Sequence, residues 1–136
     1  MAYSRTYTPN NVGNLTFVVV MVGGNSLTEE FAYEDFNPGT QTVIGAKDFT
    51  GWSSFSMVFA KDAESAPVLT KTWTASEAIV GAASAGTILV FLTDSDTALV
   101  QTSGLRQGFC AISGVDPAGN TMPLERGRWH LDPRPV

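Results

Sequence analysis

Three groups of side chains in this chain are of types that could do chemistry: the aspartates Asp94 and Asp96, the single Cys110 with the single His130, and the tryptophans Trp52, Trp73 and Trp129. Acids one residue apart recur in calcium loops, which need oxygen ligands at alternate positions, then a glycine and, at the end of the loop, a glutamate. Counted from Asp94, the required places hold Asp94, Asp96, Ala98, Leu99 and Leu105, so the third oxygen, the glycine and the glutamate are all missing. Thr93 followed by Asp96 reads better as a helix start. The hydroxyl would accept from a free backbone N–H, and the acids would sit in the first turn, where the helix dipole favours them. Aspartate stands where a capping box has glutamate or glutamine, which argues against the reciprocal bond. The helix is expected as about one turn, Thr97 to Gln101, released at Gly104.

A Cys–His nucleophile would need Cys110 and His130 within hydrogen-bond reach, and a serine triad would have to recruit His130 with Asp132 or another acid. Cys110 lies in the apolar run GFCAI, the usual setting of an inert buried thiol, and His130 is expected to face solvent beside Trp129 and Leu131. There is no nucleophile elbow, Walker loop or dinucleotide fingerprint, so catalysis is not expected. One cysteine forms no disulfide within the chain, and with one histidine it makes no Cys/His zinc cluster; neither metal nor cofactor is expected. The tryptophans would suit a platform for sugar rings. Each lies in a patterned strand or just after a turn, however, so packing is their expected fate.

The elements that position these residues follow from composition and pattern. At 136 residues, 43% of them hydrophobic, the chain suits one domain with one core. Charged residues make up 15%, against about 25% in an ordinary soluble domain, while threonine, serine and glycine are abundant, which points to an all-β protein. A net charge of −5 gives no electrostatic footprint for nucleic acid. The run FVVVMV is too short to span a bilayer and the opening MAYSRTYTPNN lacks a secretion signal, so no membrane association is expected. Glu29, Glu30, Glu34 and Asp35 crowd one stretch and Arg126, Arg128 and Arg134 another, either as solvated surface or as faces that attract in an assembly.

Residues 1–14, with Pro9, Gly13 and few apolar anchors, are expected to form a flexible N-terminal arm before a β-sandwich domain over 15–136. LTFVVVMV (15–22) reads as a buried strand ended by Gly23-Gly24. From 23 to 47 the pattern weakens, and an insertion is expected there with one short strand or helical turn. DFTGWSSFSMVF (48–59) turns at Gly51 and then alternates, with Phe55, Met57 and Phe59 on one face. VLTKTWT (68–74) pairs with it across the turn KDAESAP, and SEAIVGAASAG is a loop with a short strand around Ile79. TILVFL (87–92) and GFCAI (108–112) read as central strands. MPLERGRWHL supplies a strand, a turn at Gly127 and a last strand. About seven strands at regular spacing predict a sandwich of immunoglobulin type.

The order FTGWSSFSMVF, TILVFLTDSDTALV, GLRQGFCAISGVDPAGN and LERGRWHL resembles the small immunoglobulin-like domains of tailed-bacteriophage virions. It is most similar to those that anchor upper-baseplate and tail-fibre proteins, a type also seen as head decoration. The resemblance spans roughly residues 15 to 131 and rests on turn and packing signatures. The chain departs from the pattern at Phe109, where tyrosine is usual, at Ala111, where aspartate is common, and in the longer 23–47 segment.

What the resemblance implies is a non-enzymatic virion structural protein, made in the host cytoplasm, that binds other virion proteins and associates with its own copies in a symmetric assembly. Because the last strand lies close to Val136, a free-standing head decoration or cement protein on the major capsid protein is the leading expectation. A baseplate, neck or tail-fibre anchor is the alternative, and a carbohydrate-binding host-adhesion module a third. Partner contacts are expected from Tyr3, Arg5 and Tyr7 in the arm and from Phe31, Tyr33 and Phe36 in the insertion.

Overall fold

The alternation in SFSMVFA and LTKTWT gives those strands one dry and one wet side, and two such sheets must close on each other to keep the dry sides from water. The computed structural model shows that arrangement: an all-β sandwich. It describes residues 2–7, 15–37, 39–40 and 42–132, with the side chains of 2–7, 15–17, 36–37 and 43 outside that description. The strands, numbered along the chain, are β1 (Ala2–Tyr7), β2 (Leu15–Val22), β3 (Leu27–Asn37), β4 (Thr42–Ala46), β5 (Ser54–Ala60), β6 (Leu69–Thr74), β7 (Thr87–Leu92), β8 (Gln107–Val115) and β9 (Thr121–Asp132). Among the described residues two α-helices, α1 (Ala75–Ala78) and α2 (Asp94–Thr102), and a 3-10 turn at Ala83–Ala85 lie between strands.

The larger sheet has the order β2-β9-β8-β5-β6, antiparallel throughout except that β2 runs parallel to β9. In the smaller sheet β3 is flanked by β1, parallel, and by β7, antiparallel. The far end of β3 pairs with β4. Tyr33 marks the handover, its N–H donating to the Gly86 carbonyl (2.8 Å) and its own carbonyl accepting from the Lys47 N–H (2.9 Å), so β4 continues the edge that β7 begins.

Between the sheets lie Phe31 and Tyr33 of β3, Ile88, Val90 and Leu92 of β7, and, from the larger sheet, Val19, Met21, Phe55, Met57, Phe59, Trp73, Ile112, Trp129 and Leu131, all buried. One end is aromatic: Phe49 meets Trp52 edge-on at 5.0 Å and Phe55 at 5.1 Å, and the rings of Trp52 and Phe55 are parallel at 5.8 Å. Gly114 makes room for this, because a Cβ there would come within 2.6 Å of the Trp52 ring.

Several expectations need correction. Residues 23–47 supply two strands, and β3 runs through the middle of the smaller sheet. Phe31 and Tyr33, expected to contact partners, are instead buried, because β3 turns alternate residues into the sandwich. Residues 2–7 of the expected arm pair along β3 as β1, with Tyr3 opposite Glu29 and Tyr7 opposite Tyr33 in register. The side chains of Tyr3, Arg5, Tyr7 and Phe36 lie outside the described residues. Within LTFVVVMV, residues 18–22 are buried on one face only. Among the described residues TILVFL is not central: β7 pairs there with β3 alone, apart from a single bridge between Ile88 and Ile79. Gly127 makes no turn and continues β9 opposite Cys110.

Candidate interaction surface

Each group of residues that could do chemistry has a definite place in this frame. Asp94 and Asp96 open α2, nine residues long, and Asp96 does close a capping box. Its N–H donates to Thr93 Oγ1 (3.2 Å), and its Oδ2 accepts from the Thr93 N–H (2.8 Å). The shorter aspartate reaches because Lys71 Nζ holds the same Oδ2 at 2.8 Å from the neighbouring strand β6. Burial pushes the Asp96 carboxyl up, but the Lys71 and Thr93 hydrogen bonds outweigh it and hold the group below the usual aspartate range. Among the described residues, no three His, Cys, Asp or Glu side chains gather as a metal-holding group.

Cys110 and His130 are not brought together. Cys110 faces the core, where burial raises its thiol pKa far above the ordinary value and the charges of Glu29 and Glu125 raise it further. His130 is on the opposite, outer side of the sheet, with Nε2 3.2 Å from Asp132 Oδ1. The sheet itself separates this thiol from the imidazole, and burial disfavours its thiolate form. Glu29 and Glu125 are buried in the same region, and the Tyr33 hydroxyl donates to Glu125 Oε1 at 3.2 Å. Sequence reading gave no sign of these acids inside the sandwich. Alternation with Phe31 and Tyr33 was the available signal for Glu29, but it was hidden once the segment was read as an insertion.

The tryptophans form no sugar platform. All three are buried; the Trp73 indole N–H donates to the Phe91 carbonyl (3.2 Å) and that of Trp129 to the Ala60 carbonyl (2.9 Å). Lys47 Nζ lies 5.6 Å from the centre of the Trp52 ring.

A concave surface lies on the outer face of the larger sheet. Here β2, β9 and β8, overhung by residues 61–63 of the β5–β6 turn, form a groove of about 910 Å³. Its floor is apolar, from Val18, Val20 and Phe109, and its sides carry Arg106, Arg128 and His130. Lys61 and Asp62 complete the rim. Beside it the Arg126 guanidinium sits 5.7 Å from the centre of the Phe109 ring. Strand alternation produces the pattern: Arg126, Arg128 and His130 take the outward positions of β9 while Trp129 and Leu131 take the inward ones. Four of the eight basic residues, Lys61, Arg106, Arg126 and Arg128, are thus on one face of a chain whose net charge is −5. Such a surface attracts acidic groups and offers apolar contact once they arrive. Sequence reading placed only part of this cluster, because the separated stretches 18–20, 61–63, 104–109 and 126–130 meet only after the sheet forms.

No family model matches the chain, and no curated protein matches it by sequence. Among solved structures it is similar to the N-terminal domain of phage TP901-1 ORF48, with a TM-score of 0.55, 12% sequence identity, and coverage of 96% of this chain and 98% of that one. At that identity the likeness is one of fold.

Proposed function

We propose that this is a non-enzymatic structural domain of a tailed-phage virion, in the tail or baseplate, which attaches to neighbouring subunits through the outer face of its larger sheet. The observation that carries this reading is the end-to-end match of the sandwich to the N-terminal domain of a phage protein. A domain that begins a longer chain suits anchoring, and the resemblance to baseplate and tail-fibre anchors in the strand and turn residues points the same way. The basic and apolar groove supplies a surface for the attachment, and the inward burial of Cys110 removes the chain's strongest candidate nucleophile.

The test is the abundance of the chain in purified particles, measured against the major shell protein by quantitative gel or mass spectrometry. A small, fixed number of copies per particle is expected. A ratio near parity would move the domain to the head as a decoration protein, and absence from particles would overturn the virion reading altogether.

A further inference from the structure

The walls of the groove on the larger sheet are fixed by the core beneath them. The Trp129 indole N–H donates to the Ala60 carbonyl (2.9 Å) and so holds the start of the overhanging 61–63 turn. The Leu131 N–H donates to the Arg106 carbonyl (2.8 Å), which fixes the loop that enters β8. Gly108 lies where these elements meet, and a Cβ there would collide with the Ala60 carbonyl oxygen and the Trp129 indole. Register sets the outward side chains: Arg128 stands beside Phe109, and His130 beside both Val20 and Gln107. Phe109 is half-buried and Val20 is exposed, so the recess presents apolar surface before any partner arrives. Two lysines elsewhere are matched, Lys47 with Asp35 and Lys71 with Asp96. Among the described residues Arg106 and Arg128, both exposed, enter no ion pair.

We infer that this groove seats an acidic loop of a neighbouring protein, with its carboxylates on Arg106 and Arg128 and a large apolar side chain on Phe109 and Val20. The two requirements come from different parts of the recess. Guanidiniums at an apolar surface take carboxylates through paired N–H donors, and partial burial of such a pair strengthens it. An inorganic or polymeric anion would use the cations but leave Phe109 and Val20 in water, and Asp62 on the rim would repel its dense charge. An apolar segment without acids would take water from the guanidiniums without replacing it. A second copy offers no such loop among the described residues: none of its six exposed large apolar side chains has an acid next to it in sequence. Because the walls are already fixed, little ordering of this chain opposes binding. The inference deepens the proposed virion attachment and rests on it only for the source of the loop, an adjoining subunit.

The experiment titrates the full chain at low salt with a blocked hexapeptide, a leucine–phenylalanine pair flanked on each side by two glutamates, and follows amide chemical shifts. One control peptide has glutamines for the glutamates, another has serines for the apolar pair, and tripolyphosphate serves as a bare anion. The acidic peptide should move amides at 106–109 and 128–130, and each control should bind about tenfold more weakly or worse. Arg106→Gln and Arg128→Gln, both at exposed side chains, should each weaken the acidic peptide by about tenfold and leave the rest of the spectrum unchanged. Equal binding of either control peptide, equally tight tripolyphosphate, shifts confined to another face, or no binding at all would overturn the inference. So would self-association that Arg128→Gln abolishes, because a second copy would then be the occupant. Failure in a chain that still co-purifies with particles would leave the virion reading intact.

Discussion

The two edges of the larger sheet are built on opposite terms. At β6 the edge is closed: Lys71 points toward the core side and is held by Asp96 of α2, and the Trp73 indole bonds the Phe91 carbonyl of the facing sheet. The outward positions there are threonines, Thr70, Thr72 and Thr74, and Thr72 pairs with Ser56 at 3.0 Å. At β2 the outward positions are valines, no charge lies on the strand, and the cations stand one strand further in. An inward-pointing charge and a covering helix are known ways of closing an edge. One edge strand is thus tied by its side chains to the rest of the fold, while the other carries an exposed apolar stripe on its outer face.

The largest effect should come from attacking the closed edge. Trp73→Ala removes a buried indole and leaves the Phe91 carbonyl without its donor. A loss of about 3–5 kcal/mol is expected in urea unfolding, enough to unfold a marginal domain. A loss below about 1 kcal/mol, the range of ordinary surface changes, would show that burial does not hold this edge and would remove the contrast with β2.

The helix that covers the same edge gives a smaller and pH-dependent effect. Thr93→Ala deletes the cap of α2 and should cost about 1 kcal/mol. For Asp96 the sign follows from the direction of its shift. A carboxyl held below its unfolded value stabilises the fold at pH values above the ordinary aspartate range, and that stabilisation is lost as pH falls through the folded value. Asp96→Asn should therefore cost most near neutrality, and its stability should converge with that of the parent chain only once pH falls through the folded value, which lies below the ordinary aspartate range. A gap between the two chains that stays constant with pH would mean that Lys71 and the cap do not act on the ionised carboxylate.

How far the sequence carried this contrast depends on where its information lies. Periodicity is local, so β5, β6 and the outward place of His130 were readable, and the Thr93 cap could be located because it spans four residues. The place of a strand within its sheet is not local. LTFVVVMV and TILVFL both look central by composition, yet among the described residues β2 and β7 pair with one strand each apart from the Ile79 bridge, and the Trp73 indole bonds the Phe91 carbonyl of β7 at 3.2 Å. LTEEFAYEDF reads as a surface segment because it is acidic, and its period-two placement of Glu29, Phe31 and Tyr33 on the inner face emerges only once β1 and β7 flank it. The groove was the least readable feature, since Val18, Lys61, Arg106 and Arg128 come from four separate parts of the chain.

The smallest effect on stability is also the sharpest test of the contrast. Val20 is 45% exposed on the outer face of β2, so Val20→Lys puts a charge into the exposed valine stripe while removing little packing. The unfolding free energy should move by no more than about 0.5 kcal/mol, as for other surface substitutions. Concentration-dependent self-association, measured by sedimentation or light scattering, should fall, because Val18, Val20 and Val22 together expose an apolar stripe on the outer face. The matching change at the other edge, Lys71→Val, should act the other way, costing stability by stranding Asp96 and adding little association while α2 still covers β6. If Val20→Lys instead lowered stability by more than about 1 kcal/mol, the valine stripe would belong to the packing of the isolated fold rather than to a contact surface. The two edges would then differ in composition but not in purpose.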